Sequence, residues 1–185
     1  MTRRTEKKDE ARRRILDAAR VLFKRYGYDS VSVAKVMGAA GLTHGAFYAH
    51  FESKAALHAE ALGALGFAAT LEARVKASAD PFGTLIDGYL SEDHRADPAA
   101  GCSVAALAGD AALGREEARR LVARGIEGLA KAIGAIGAID ANTALALATQ
   151  LVGGLVIARS VDDPALAARL LETSRMAARR LIGRD

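Results

Sequence analysis

Between Thr43 and Lys54 the sequence reads THGAFYAHFESK, a run of hydrogen-bond donors. Thr43 and Tyr48 carry hydroxyls, His44 and His50 imidazoles, and Lys54 an ammonium, while Gly45 leaves its backbone uncovered. Such groups suit an oxygen-rich anionic partner better than covalent chemistry. The rest of the chain adds little that could catalyse. The histidines His44, His50, His58 and His94 form no His-Glu-x-x-His pair, and the single cysteine, Cys102, cannot build a thiolate site. There is no Walker loop, no dinucleotide-binding fingerprint and no nucleophile elbow. A Cys102–His94 nucleophile pair is conceivable, but nothing orients it. The chain is expected to be a non-enzyme with no metal and no cofactor.

The elements around this run must hold its polar side outward. Val33, Val36, Met37 and Ala40 recur at helical spacing, Gly41 stops that helix, and Thr43 restarts another. Phe51 closes the second helix, and Ser53-Lys54 begins a third. Two short helices across a tight glycine turn, at about 32–51, form a helix-turn-helix whose second helix suits the DNA major groove. Phe47 and Phe51, four apart, should pack inward with Phe23 and Leu57. Thr43, His44, Gly45 and Tyr48 then face a duplex. Gly45 lets the backbone approach a base. Tyr48 can reach a phosphate, and Lys54 sits at a helix N-terminus that also favours one. His44 is the best candidate for reading sequence. Ser32 offers a phosphate contact from the preceding helix. Ser32 and Thr43 could equally be only helix caps.

Three linked motifs carry a resemblance. They are Ala19-x-x-Leu22-Phe23 with Gly27-Tyr28, Ser32-Val33 through Gly41-Leu42, and Phe47-Tyr48-x-His50-Phe51-x-Ser53-Lys54-x-x-Leu57. Together they resemble the TetR/AcrR family of bacterial transcriptional regulators. The resemblance implies that Thr43, Gly45, Tyr48, His50 and Lys54 contact DNA. It also implies a homodimer through the last two helices, an operator of palindromic half-sites, and a body that encloses a small-molecule inducer. Gly153-Gly154 is compatible with close helix approach at such an interface. Phe67, Leu71, Leu85, Tyr89, Cys102, Leu107 and Leu129 are the pocket candidates, each also readable as plain core. The expected role is a ligand-released repressor binding operator DNA. The alternatives are an activator, a sensor of oxidation through Cys102, or a helical small-molecule-binding protein without DNA reading.

Composition and charge bound these readings. The chain has 185 residues, 51% hydrophobic, with three prolines and no tryptophan, which favours an all-α fold. Residues 1–58 carry 12 Lys/Arg against 6 Asp/Glu, and residues 59–185 carry 14 against 16. A basic module on a near-neutral body is the electrostatic footprint of a nucleic-acid reader. The domains are expected at 9–69 for DNA binding and 70–185 for ligand binding and dimerisation. No signal-peptide pattern and no membrane-spanning apolar run is visible, the apolar stretch at Leu145–Ala158 being interrupted by Thr149 and Gln150. The expected location is the cytoplasm.

Nine helices are expected. Residues 1–5 read as a flexible basic arm, followed by a helix from Glu6 to Tyr26 with Ile15, Ala18, Ala19, Leu22, Phe23 and Tyr26 on its inner face. Lys54 to about Ala79 reads as one helix. Asp80-Pro81, Asp140 and Asp163-Pro164 mark later helix starts. Ser91–Gly101 is the longest expected break, and Gly114 to about Ala138 a long charged-then-apolar helix.

Overall fold

The computed structural model describes residues 3–63, 73–137 and 139–183. Every regular element among them is helical. Helix α1 (Arg3–Tyr26) is followed by α2 (Val33–Ala39), a 3₁₀ turn of helix (His44–Ala49) and α3 (Lys54–Gly63). The body then runs α4 (Pro81–Tyr89), α5 (Glu92–Ala96), α6 (Ser103–Ala112), α7 (Glu116–Gly134), α8 (Ala141–Arg159) and α9 (Pro164–Leu181). Residues 73–76 are also helical. The expected helix from Lys54 to Ala79 passes through residues 64–72, and the expected domain boundary at 69–70 lies there too. Both fall outside the described residues.

Short side chains set most of the helix starts. Ser32 Oγ accepts from Lys35 N at 3.1 Å, and Ser53 Oγ accepts from Ala56 N at 3.0 Å. Asp80, Asp140 and Asp163 do the same for α4, α8 and α9, with Pro81 and Pro164 in the first turns of α4 and α9. These bonds satisfy amides that a helix end leaves without an intrahelical partner.

Three expectations about elements give way. Helix α1 begins at Arg3, so the basic segment continues the helix rather than forming an arm. The Ser91–Gly101 stretch contains α5. There Ser91 Oγ accepts from His94 N at 3.1 Å, and Arg95 pairs with Glu92 one turn earlier. A capping serine and an i,i+3 ion pair are enough for a single turn, even beside Pro98 and Gly101. Helix α8 has 19 residues and is long and apolar enough to cross a membrane by length and composition alone. Thr149 and Gln150, expected to interrupt the apolar run, occupy a single turn within α8. In the fold Leu147, Ala148, Leu151 and Leu155 of this helix are fully buried, as befits the central helix of a bundle.

The interior divides into two apolar clusters. One gathers Phe82, Leu85, Ile86 and Tyr89 of α4 with Leu129 and Ile133 of α7 and the inner faces of α8 and α9. The other gathers Ile15, Ala19 and Phe23 of α1, Val36 and Met37 of α2, Phe47, Phe51, and Leu57 and Ala61 of α3. Leu107, Ala118 and Leu121 of the body join this second cluster, so the N-terminal module completes its core with body side chains. Tyr26 is 47% exposed instead of buried, its ring covered in part by Lys35, whose Nζ sits 4.0 Å from the centroid.

Candidate nucleic-acid interface

The helix-turn-helix is set by its glycine. Gly41 has φ +67°, a left-handed conformation that glycine adopts without strain, and a Cβ there would meet the Arg14 guanidinium at 2.5 Å. Arg14 donates to Ala40 O and so ties α1 to the end of α2. Beyond the turn, Ala46 N donates to Thr43 O at 3.1 Å and His50 N to Phe47 O at 2.9 Å. These i→i+3 bonds make the second helix 3₁₀ where an α-helix was expected. Six residues with a glycine near the start are too short to nucleate α-helix unaided. Thr43 occupies the N-cap position, but its side chain makes no capping bond.

The inner side of this segment is dry. Phe47 is fully buried and Phe51 5% exposed, and their rings stack at 6.0 Å. Arg12 lies 4.7 Å from the centroid of the Phe51 ring. Phe23 and Leu57 lie in the same cluster, as their spacing predicts. The outer side is open. Thr43, His44 and Gly45 are exposed, and nothing stands within 4 Å of a Cβ placed on Gly45. Tyr48 is 69% exposed, its ring edge-on to Phe47 at 5.2 Å. Ser32 is exposed at the N-cap of α2.

His50 and Lys54 stand apart from this face. His50 is half-buried, and among the described residues its buried Nδ1 has no hydrogen-bond partner. Lys54 Nζ lies 4.1 Å from the centroid of the Tyr28 ring. Partial burial lowers the Lys54 pKa, against the pull of Asp110. Tyr28 is a junction the sequence reading missed. Its N–H donates to Asp110 Oδ2 of α6 at 3.2 Å, and its ring lies edge-on to His58 at 5.0 Å. Arg115 pairs with both Asp29 and Asp110. The only sequence signal for this seam is the Gly27-Tyr28 motif, since Asp110 lies 82 residues away.

A second seam joins α1 to the body. Lys24 is buried at 8% exposure and donates to Gly101 O at 2.7 Å, and Arg25 pairs with Asp97 at 3.4 Å. His94 donates through Nδ1 to Tyr89 O at 2.7 Å and accepts at Nε2 from Cys102 N at 3.1 Å. That pattern requires the neutral imidazole, and burial pushes the His94 pKa down to about 4. Arg159 of α8 donates to the His94 and Arg95 carbonyls. The Cys102 thiol is buried beside the Tyr89 hydroxyl, whose pKa burial raises.

Of the pocket candidates, Leu85, Tyr89, Cys102 and Leu129 pack together in the body cluster, while Leu107 belongs to the N-terminal one. Phe67 and Leu71 lie outside the described residues. A cleft of about 650 Å³ opens elsewhere, lined by Arg74, Thr84, Asp87, Ser91, His94 and Asp97 among others. Among the described residues no three His, Cys, Asp or Glu side chains converge as a metal site would require.

A buried aromatic base beneath an exposed polar helix, on an all-helical body, defines a helix-turn-helix protein. Residues 15–61 match the family model described as bacterial regulatory proteins, tetR family. The chain is 43% identical over 61 residues to the HTH-type transcriptional regulator AcrR of Shigella flexneri, covering 32% of this chain and 28% of that one. Over 46 residues it is 48% identical to an HTH-type transcriptional repressor of Mycobacterium tuberculosis, 25% of each chain. The chain thus spans about a quarter of the length of these curated relatives. The whole fold has counterparts too. A TetR transcriptional regulator from Chloroflexus aurantiacus superposes with a TM-score of 0.75 at 21% identity, covering 96% of both chains. A TetR-family regulator from Cytophaga hutchinsonii gives 0.75 at 21%, covering 93% and 94%. Residues 15–61 thus match the tetR family of bacterial regulatory proteins in sequence, and the described residues share the fold of solved TetR-family regulators.

Proposed function

We propose that this protein is a DNA-binding transcriptional repressor that docks His44–Ala49 into the major groove of operator DNA as a homodimer and is released by a small molecule. The observation that carries the reading is the contrast within one short segment: Phe47 fully buried and Tyr48 69% exposed, one residue apart. Thr43, His44 and Gly45 meet base edges, with His44 selecting sequence. Tyr48, Ser32 and Lys54 bind phosphates, Lys54 by leaving the Tyr28 ring. His50 supports the segment from its half-buried position.

The dimer reading rests on the last two helices. Leu145 and Ile157 of α8 and Leu166, Met176 and Leu181 of α9 are each at least 39% exposed. An apolar surface of this kind on two adjacent helices calls for a partner, and a second copy gives the two-fold symmetry that paired half-sites need. For release, the cleft at Asp87 and His94 is well connected. His94 holds the Cys102 amide, and the adjoining Gly101 carbonyl holds Lys24 of α1. A ligand that favours a different geometry there shifts the DNA module through those bonds.

A gel-shift titration with the DNA upstream of the protein's own gene tests the reading. Sequence-specific binding with a steep salt dependence is expected, and Ile157→Asp should convert a dimer to a monomer in sedimentation and weaken operator binding. Binding that is absent or insensitive to salt contradicts it.

A further inference from the structure

The first turns of α1 are helix without a core. Residues 5–10 are all exposed, and the first fully buried side chain of the helix is Ile15. Residues 3–14 carry seven Lys/Arg against three Asp/Glu, a net of +4. That equals the formal net charge of the whole chain, so everything after residue 14 sums to zero. Residues 5–10 add nothing to the apolar cores, yet they lie in the segment that carries the charge surplus.

Its position follows from two anchors, at the C-terminal end and in the middle of α1. The C-terminal end sits against the body, through Lys24 on Gly101 O and Arg25 on Asp97. At Arg14, α1 is level with the helix-turn-helix turn, because that guanidinium bonds Ala40 O and abuts Gly41. The helix therefore runs from the body, past the turn, and on beyond it. Lys7 lies seven residues before Arg14, on nearly the same stripe and about 10 Å further out at the α-helical rise. Of the nearby cations, Arg12 pairs with Glu60, Arg13 with Glu10, and Arg14 with the turn. Lys7 and Lys8 are exposed, and among the described residues neither has such a partner.

We infer that the N-terminal turns of α1 form a second DNA-contacting surface, with Lys7 and Lys8 seated on phosphates that flank the half-site entered by His44–Ala49. The partner is the duplex backbone, recognised by charge and not by sequence. This inference rests on the DNA-binding reading above, since the recognition segment fixes where the duplex lies.

The test compares the wild-type chain with K7Q/K8Q on two duplexes. One carries the operator with long flanks, the other ends at the half-site borders. On the long duplex the variant should lose about 1.8 from the slope of log affinity against log salt, near 0.9 for each phosphate released. On the trimmed duplex, wild type and variant should bind alike. Equal slopes on the long duplex overturn the inference, as does the same loss on both duplexes, which would put the lysines inside the half-site. If the wild type binds neither duplex specifically, the DNA-binding reading itself has failed. Unchanged thermal melting of K7Q/K8Q shows that any change in slope reports contact and not unfolding.

Discussion

The N-terminal module is held on two sides by opposite chemistry. Beneath the exposed face of His44–Ala49, Phe47 and Phe51 stack in a dry cluster with Met37 and Leu57. Against the body, Lys24 reaches a carbonyl, and Tyr28 hangs from Asp110 by its backbone amide. Close-packed apolar side chains resist both rotation and separation. Hydrogen bonds and buried charges depend on angle and cost free energy when left unmade. The exposed face of His44–Ala49 therefore has a rigid base, whereas the junction with the body adds to the apolar contacts of Leu107, Ala118 and Leu121 a set of polar bonds that a small shift can break or remake.

Disruption of the dry side should have the largest effect. Phe47→Ala removes a fully buried ring and should cost about 3–5 kcal/mol, read as a large fall in Tm with loss of DNA binding. A loss under about 1 kcal/mol would deny that the segment is anchored from behind. The polar seam should instead respond to pH. The His94 pKa is about 4 in the fold against an ordinary 6.5, so between these values the unfolded chain binds more protons. The stability from neutral His94 is complete above pH 6.5 and is lost as pH falls toward 4, about 3 kcal/mol in all. The buried His58 is shifted in the same direction and adds to the slope. His94→Asn should flatten the dependence of denaturant midpoint on pH between 6.5 and 4. An unchanged profile would remove His94 from the seam.

Asp110→Ala should cost about 1–3 kcal/mol by orphaning the Tyr28 amide and releasing Arg115. It should also loosen the module, seen as faster amide exchange in residues 27–31 than in His44–Ala49. Equal acceleration in both would mean that the two sides are not independent. Ser32→Ala is the mildest change, about 1 kcal/mol from the lost bond to Lys35 N. A drop in DNA affinity beyond that stability loss would mark Ser32 as a phosphate contact as well as a cap.

The dry side was legible in the sequence and the seam was not. Phe47 and Phe51 announce a common face through i,i+4 spacing, and Gly41 announces the turn through its conformational freedom. The all-helical fold followed from sparse proline and recurrent apolar stripes. Lys24–Gly101 and Tyr28–Asp110 join residues 77 and 82 positions apart, a distance at which periodicity is silent. Lys24 reads as an ordinary helix-terminal cation until the body buries it. The same is true of the outer faces of α8 and α9. Leu145, Leu166 and Leu181 fit a helical core stripe in the sequence, and only the fold reveals them at the surface. The 3₁₀ geometry of His44–Ala49 is below the resolution of periodicity, since six residues do not separate a period of 3.0 from 3.6.

The most direct test of the account is a set of anisotropy titrations of wild type, Tyr48→Ala and His44→Ala against an operator duplex and its single base-pair variants. Tyr48→Ala should weaken binding to every duplex by a similar factor, and His44→Ala should level the preference at one base position while sparing the others. If both variants bind the whole panel as the wild type does, the exposed face of His44–Ala49 does not read DNA.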